Sequence, residues 1–239
     1  MKRALVTGGS GGIGAAVCRR LAADGCHVYV HANVNRDASQ GVVAEIRAAG
    51  GSAEAVAFDV TDAPATKAAL ESLLAAGAIE ILVNNAGIHA DAVFPAMRAE
   101  QWHRVIDVSL HGFFNVTQPL TMPMIRGRWG RIINVSSVAA MAGNRGQVNY
   151  SAAKGALNAA TRSLSIELAS RGITVNAVAP GIIETAMIEG TRVSELVERM
   201  VPMKRVGQPF EVADLIAFLA SDQAAYITGQ VISINGGMI

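Results

Sequence analysis

Short apolar runs recur along the chain at Ala4–Thr7, His27–His31, Ala53–Phe58, Ile79–Val83, Arg131–Val135, Ile173–Val178 and Gln230–Ile234. Most lack the alternation of a half-exposed strand, as expected for strands covered on both faces of a parallel sheet. Between them lie longer stretches with helical spacing: Gly12–Asp24, Ala38–Ala49, Ala63–Ala76, Arg98–Arg126, Asn149–Arg171 and Phe210–Ala220. Strand and helix alternate from end to end, which predicts an α/β fold with one doubly wound parallel sheet and helices on both faces. No linker, repeat or low-complexity tract interrupts the rhythm, so residues 1–239 read as a single domain. One segment departs from it. After Pro180-Gly181, residues 182–206 carry a weak helical pattern from Glu184 to Met200, an insert of the length that commonly forms a substrate lid.

Composition narrows the class. The chain has 239 residues, 51% hydrophobic and 16% charged, with a formal net charge of +1. A chain this long buries roughly 70% of its unfolded surface and needs no staple. The near-neutral balance gives no pull toward nucleic acid or an anionic membrane. The two cysteines, Cys18 and Cys26, form no CxxC and no disulfide framework, which favours a reducing compartment. Met1-Lys2-Arg3 leads straight into the first strand, where a signal peptide would carry an apolar stretch of about 7–15 residues. The longest uncharged stretch, Val108 to Ile125, holds His111, Asn115, Gln118 and two prolines, unlike a membrane span. A cytoplasmic protein is expected.

The candidate chemistry begins at Thr7-Gly8-Gly9-Ser10-Gly11-Gly12-Ile13-Gly14, between the first strand and the first helix. Backbone amides at a helix N-terminus attract phosphate, and glycines let a pyrophosphate approach the main chain. Gly9, Gly11 and Gly14 fit G-x-G-x-x-G; Gly8, Gly12 and Gly14 fit the looser G-x-x-x-G-x-G. The second strand ends His31-Ala32-Asn33, without the acid that grips the ribose 2′-hydroxyl at NAD sites. Asn33 and Arg36 would not repel a 2′-phosphate, so NADPH is the expected cofactor. Asp59-Val60, ending the third strand, is placed to meet the adenine edge.

Tyr150-Ser151-Ala152-Ala153-Lys154 opens a long helix, with Tyr150 and Lys154 on one face. A phenol titrates near pH 10 and needs help at neutral pH; a Lys ammonium one turn away, with the positive nicotinamide of the oxidised cofactor, favours the phenolate. Ser137 follows the strand Arg131–Val135, at the sheet edge where ligands bind. Taken with Asn84-Asn85-Ala86-Gly87 and Pro180-Gly181, these motifs occur in an order that resembles the short-chain dehydrogenase/reductase family over essentially the whole chain. Gly130-Arg131-Ile132-Ile133-Asn134-Val135-Ser136-Ser137 and Ile227-Thr228-Gly229-Gln230 are similar to the 3-oxoacyl-[acyl-carrier-protein] reductases within it.

The resemblance implies roles. Tyr150 would protonate the carbonyl oxygen as hydride reaches its carbon, Ser137 would hydrogen-bond that oxygen, and Lys154 would hold the nicotinamide ribose and depress the Tyr150 pKa. Asn85, Ala86 and Gly87 would line the cofactor site with Gly8, Ser10, Gly11, Gly12, Ile13 and Gly14, while Pro180, Gly181, Ile182 and Thr185 sit where the family grips the carboxamide. Where the family usually has an Asn that positions a relay water, this chain has Ser109, which keeps the main-chain carbonyl and loses the amide. Arg128 and Arg171 match positions that dock an acidic acyl-carrier protein; they join Arg126 and Arg131 in a basic cluster whose other reading is helix-dipole compensation. Ala139, Ala140, Met141, Met187 and Ile188 are candidates for an apolar acyl pocket. On the long helix a stripe of Ala153, Leu157, Ala160, Leu164 and Leu168 adjoins the small residues Ala152, Ala156, Ala159 and Ser163, and the resemblance implies a homotetramer through such helices. Two rival classes share the fold: a dehydrogenase of a free small alcohol, with the same catalytic residues, and a nucleotide sensor, which would typically have lost Tyr150 or Lys154.

Overall fold

The computed structural model describes residues 1–33, 36–185 and 191–239, with the side chains of residues 191–194 outside the description. Among the described residues, seven strands form one sheet: β1 (Arg3–Val6), β2 (His27–Ala32), β3 (Ser52–Ala57), β4 (Ile81–Asn84), β5 (Gly130–Val135), β6 (Ile173–Pro180) and β7 (Val231–Ile234). The order is β3-β2-β1-β4-β5-β6-β7 and every pairing is parallel. The chain therefore winds outward from β1 to β3 and returns past β1 to continue on the other side. The crevice lies between β1 and β4, where ligands bind in this class of sheet.

Alternate side chains of one strand enter two cores. Ala4 and Val6 point into a layer with α1 (Gly12–Ala23), α2 (Arg36–Ala48) and α9 (Pro209–Ala220). Leu5 points into the opposite layer, with Leu70 of α3 (Ala63–Ala75) and Val116, Leu120 and Met124 of α5 (Gly112–Gly127). Both faces are covered, so the strands read as continuous apolar runs. Both cysteines are buried and unpaired. Local signals set the helix ends. Asp62 caps α3, accepting from the Ala65 amide at 3.0 Å, and Pro209 opens α9, where an amide hydrogen has no helical partner to lose.

The helical stretch expected over Arg98–Arg126 is divided: α4 (Ala99–Ile106), a π-helical segment at Asp107–His111, then α5. The wider turn buries Ser109, and Gly112 brings the start of α5 against Val60, where a Cβ would stand 2.8 Å from a Val60 methyl. A four-residue helix, α6 (Ala139–Ala142), is too short to show periodicity in sequence. The long helix α7 (Val148–Leu168) runs into a 3₁₀ turn at Ala169–Arg171, and α8 (Thr191–Met200) lies within the 182–206 segment. None of the described helices is long and apolar enough to cross a membrane.

Candidate active site

The glycine turn fits the looser of its two patterns. Gly8 and Gly12 have φ of +62° and +52°, values that side-chain-bearing residues avoid, whereas Gly11 is extended at −165°. A Cβ at Gly14 would stand 2.1 Å from the Gly8 carbonyl oxygen, so only glycine lets α1 pack this closely on the turn. Gly11, the N-cap of α1, has no side-chain cap, and Gly11 and Gly12 are exposed. An uncapped, solvent-facing helix N-terminus of this kind fits a dinucleotide pyrophosphate.

From β4, Asn85 fastens the turn. Its Nδ2 donates to the carbonyls of Thr7 and Gly8, both at 3.0 Å, while Thr7 Oγ1 accepts from the amides of Asn85 and Ala86. Ser10 and Ile13 flank the opening, half-buried. Asn33 and Arg36 are exposed at the end of β2 and the start of α2, where a charge would meet the adenosine end of a dinucleotide; Val34 and Asn35 between them lie outside the described residues. Asp59 stands just beyond β3, its carboxylate accepting from Thr61 N and Oγ1 at 2.8 Å, and the neighbouring Val60 is buried with its carbonyl taken by Asn115. Gly12 faces the Thr185 methyl at 3.3 Å from its Cβ position, so the far side of the crevice meets the turn. Gly181 donates to Ile234 O, and the Pro180 carbonyl accepts from Val138, linking β6 to the segment after Ser137. The 182–206 segment is tied at its base. Gly207 donates to Ile182 O at 2.9 Å, Glu184 donates to Gly207 O at 2.8 Å, and Gln208 Nε2 reaches the Glu184 carboxylate at 2.5 Å.

Ser137, Tyr150 and Lys154 meet at the C-terminal edge of β5. The Ser137 side chain faces the Tyr150 hydroxyl and favours its ionised form. Lys154 lies beneath, 3% exposed, its Nζ donating to Val135 O at 2.8 Å and standing 5.8 Å from the Tyr150 ring centre. Gly87 comes from the other wall, its Cβ position 3.2 Å from Lys154 Nζ. Burial lowers the Lys154 ammonium to about 8. Burial likewise pushes the Tyr150 phenol up from its ordinary value, the Ser137 side chain opposes the rise, and Asp91 adds to it. Burial is the largest cause of the rise, and the Lys154 ammonium is committed to the Val135 carbonyl.

Several positioning groups escaped the sequence reading. Asn149 is fully buried, donates to Ala90 O and Gln101 O at 3.1 Å, and accepts from the Tyr150 amide at 2.8 Å. A buried ladder runs Thr117–Asn84–Asn134–Thr161, tying β4 and β5 to α5 and α7 at 2.8–3.0 Å. An Asn directly before the Tyr and a polar Asn within an otherwise apolar strand were the available signals. The Ser109 hydroxyl is buried with no partner, beside a cavity shared with Thr7, Asn84 and Ala86 that has room for about one water. Of the acyl-pocket candidates, Ala139 is core, Ala140 is half-buried and Met141 is exposed; Met187 and Ile188 lie outside the described residues.

A family model described as enoyl-(acyl carrier protein) reductase matches residues 8–239. The chain is 46% identical to the 3-oxoacyl-[acyl-carrier-protein] reductase FabG of Staphylococcus aureus (strain N315), over 99% of this chain and 98% of the relative. It is 47% identical to the 3-oxoacyl-[acyl-carrier-protein] reductase of Synechocystis sp., over 99% and 96%. Nodulation protein G of Azospirillum brasilense is 43% identical over 99% and 98%. The chain belongs to the short-chain dehydrogenase/reductase family. A short-chain dehydrogenase/reductase is an oxidoreductase that works between a nicotinamide cofactor and a carbinol or carbonyl carbon.

The basic cluster of this short-chain dehydrogenase/reductase divides. Arg128 caps α5 in a left-handed conformation (φ 51°) and reaches Ser170 O at 3.4 Å, so Arg128 and Arg171 are neighbours, both exposed. Arg131 is no surface charge: it is 2% exposed, packs on Trp129 at 4.2 Å and pairs with Asp222 at 3.4 Å. Arg128 and Arg171 also precede β5 and β6, whereas Ser137 and Gly181 follow them. The arginine pair and the Ser137 group occupy opposite edges of the sheet, the two ends of a six-residue strand about 20 Å long.

Proposed function

We propose that this enzyme uses NADPH to reduce a 3-oxoacyl thioester on acyl-carrier protein to the 3-hydroxyacyl form, in fatty-acid synthesis or a related polyene or polyketide pathway. The observation that carries the reading is Ser137 facing the Tyr150 hydroxyl with buried Lys154 behind, in a chain alike end to end to curated 3-oxoacyl reductases. When bound, the reduced nicotinamide supplies hydride. Ser137 Oγ and the Tyr150 hydroxyl converge on the substrate oxygen, where negative charge develops. A raised phenol arrives protonated, as a proton donor must. Gly8, Ser10, Gly11, Gly12, Ile13 and Gly14 hold the pyrophosphate, Asn85, Ala86 and Gly87 line the opposite wall, and Pro180, Gly181, Ile182 and Thr185 meet the carboxamide. Asn33 and Arg36 accept the 2′-phosphate, and 182–206 closes as a lid over the single domain. Its place is the cytoplasm.

Carrier docking on Arg128 and Arg171 requires a second copy. The 21-residue α7, about 31 Å long, has Tyr150 in its first turn at the catalytic edge and leads through the 3₁₀ turn to Arg171 at the other. Antiparallel pairing of two such helices about a two-fold axis lays one copy's arginines beside the other's catalytic edge. The outer faces suit this arrangement: Ala152, Ala159 and Ser163 are exposed, with Ile166 at 79% and Phe114 of α5 at 63%. A second two-fold contact through the apolar C-terminal end Gly236-Gly237-Met238-Ile239 would make the pair a homotetramer, and light scattering giving a lone 24.8 kDa species at micromolar concentration would refute it.

The deciding assay follows NADPH oxidation with acetoacetyl-carrier protein, crotonyl-carrier protein and a panel of free ketones, using the native enzyme and Tyr150→Phe. The proposal requires the first substrate to lead and Tyr150→Phe to lose orders of magnitude in turnover. Preference for a free ketone would make the enzyme a dehydrogenase of small alcohols, which needs the same three side chains.

A further inference from the structure

Two successive amides of the glycine turn end on a single residue of the neighbouring strand. Gly9 donates to the main-chain oxygen of His31 at 2.7 Å, and Gly8 donates to its Nδ1 at 3.1 Å. The ring is 2% exposed and packs on Phe58, centroids 4.2 Å apart. A backbone amide can only donate, so Nδ1 must be bare and the proton must ride on Nε2. That nitrogen lies 2.8 Å from Phe58 O, an acceptor with nothing to donate. Both ring nitrogens are therefore satisfied only in the neutral, Nε2-protonated form. The Gly8 peptide is gripped from two sides, its amide by His31 and its carbonyl by Asn85. Gly8 sits at a positive φ that a free glycine has no preference for, so these bonds choose its conformation.

We propose that His31 is a positioning residue for the dinucleotide: its neutral ring sets the Gly8 peptide and so aims the free amides of α1, and protonating Nδ1 releases the turn and weakens cofactor binding. A second proton would bring Nδ1–H against the Gly8 N–H, replacing a buried hydrogen bond with two facing donors. The groups around the ring are few. Asp59, just past Phe58, favours the protonated form, as does the Phe58 carbonyl, but burial outweighs both and holds the ring below its ordinary 6.5. Cys18 of α1, with Sγ 3.8 Å from Gly9 O, is a neutral thiol whose titration burial pushes far up. Arg36 and Asp37 at the start of α2 are exposed. The inference rests on the dinucleotide reading of this turn.

The test is calorimetric titration of NADP⁺ into the full-length protein from about pH 8 to about pH 5, bracketing the histidine range. His31→Asn offers an acceptor near the Nδ1 position that does not titrate, and His31→Leu offers none. Wild-type affinity should fall on acidification by about tenfold more than that of His31→Asn, the worth of one buried hydrogen bond. The 2′-phosphate's own titration is common to all three proteins and cancels in the comparison. His31→Leu should bind about tenfold more weakly throughout the range. Nitrogen NMR with the His31 ring resonances assigned should show Nε2 protonated at that residue in the folded wild type at neutral pH, a readout that survives if a variant fails to fold. Identical acid dependence in wild type and His31→Asn, or a protonated Nδ1 on His31 in the neutral-pH spectrum, would overturn the proposal. Failure of wild type to bind either NADP⁺ or NAD⁺ at about pH 8 would instead overturn the dinucleotide reading on which it stands.

Discussion

Lys154→Met should make the protein more stable while abolishing its chemistry. The side chain is 3% exposed, and its ammonium keeps one protein partner, the Val135 carbonyl at 2.8 Å. Burial brings its titration from 10.5 to about 8. That difference corresponds to about 3 kcal/mol of penalty on the charged form, an upper bound on what neutralising the site returns. Methionine keeps the apolar stem but forfeits the hydrogen bond, a loss of about 1–2 kcal/mol. The net gain is about 1–2 kcal/mol, or roughly 2–8 °C in Tm for a chain of this size. The pH dependence identifies the cause. With the folded value below the unfolded one, the unfolded chain binds more protons between about 8 and 10.5, so wild-type stability rises with pH across that window. Below about 8 the penalty is present in full. Scanning calorimetry should therefore show the variant ahead at neutral pH and the gap closing as the buffer approaches the upper end of the window. A variant less stable than wild type at neutral pH, or a gap that ignores pH, would refute the argument that desolvation dominates here.

Other substitutions test neighbouring parts of the site. Asn33→Asp should weaken NADPH more than NADH, by repulsion of the 2′-phosphate; equal kcat/KM for the two cofactors in wild type would sink the assignment. Ser109→Asn should leave turnover equal or higher, since the hydroxyl it replaces is buried without a partner; a large loss would mean that the serine has a role of its own. Arg128→Glu with Arg171→Glu should raise KM for carrier-bound substrate and spare a small free ketone, and added salt should mimic it. No effect on either substrate would leave both arginines as ordinary helix-end charges.

What the sequence disclosed depended on how far each feature reaches along the chain. All seven strands were legible, because β4, β5 and β6 are covered on both faces and read as unbroken apolar runs. The candidate trio was legible because Tyr150 and Lys154 share one turn of helix and Ser137 follows a strand. The π-helical segment at Ser109 was not, since an extra residue per turn leaves no mark on an apolar pattern. The supports of the site were equally hidden. Asn84 reaches Thr117, Asn149 reaches Ala90, and His31 reaches Gly8, pairs that become neighbours only when strands and helices stack. Arg131 misled for the same reason: in sequence it is one of several arginines, and only Trp129 and Asp222 reveal it as buried.

The two titrating groups at the centre fix the direction in which the site works best. Free tyrosine and lysine titrate almost together, near 10 and 10.5. Here burial drives them apart: the phenol rises while the ammonium falls to about 8, so Lys154 becomes the more acidic of the pair. Reduction needs a protonated phenol and gains from a positive charge beneath the developing alkoxide, and both conditions hold at neutral pH. Oxidation of the alcohol needs the phenolate, which the site disfavours. Carbonyl reduction should therefore decline as pH rises through about 8, where Lys154 loses its charge, while alcohol oxidation gains. Steady-state rates in both directions across that range, with cofactor saturating, decide the matter. Parallel rather than opposed profiles would show that Lys154 does not govern the proton on Tyr150.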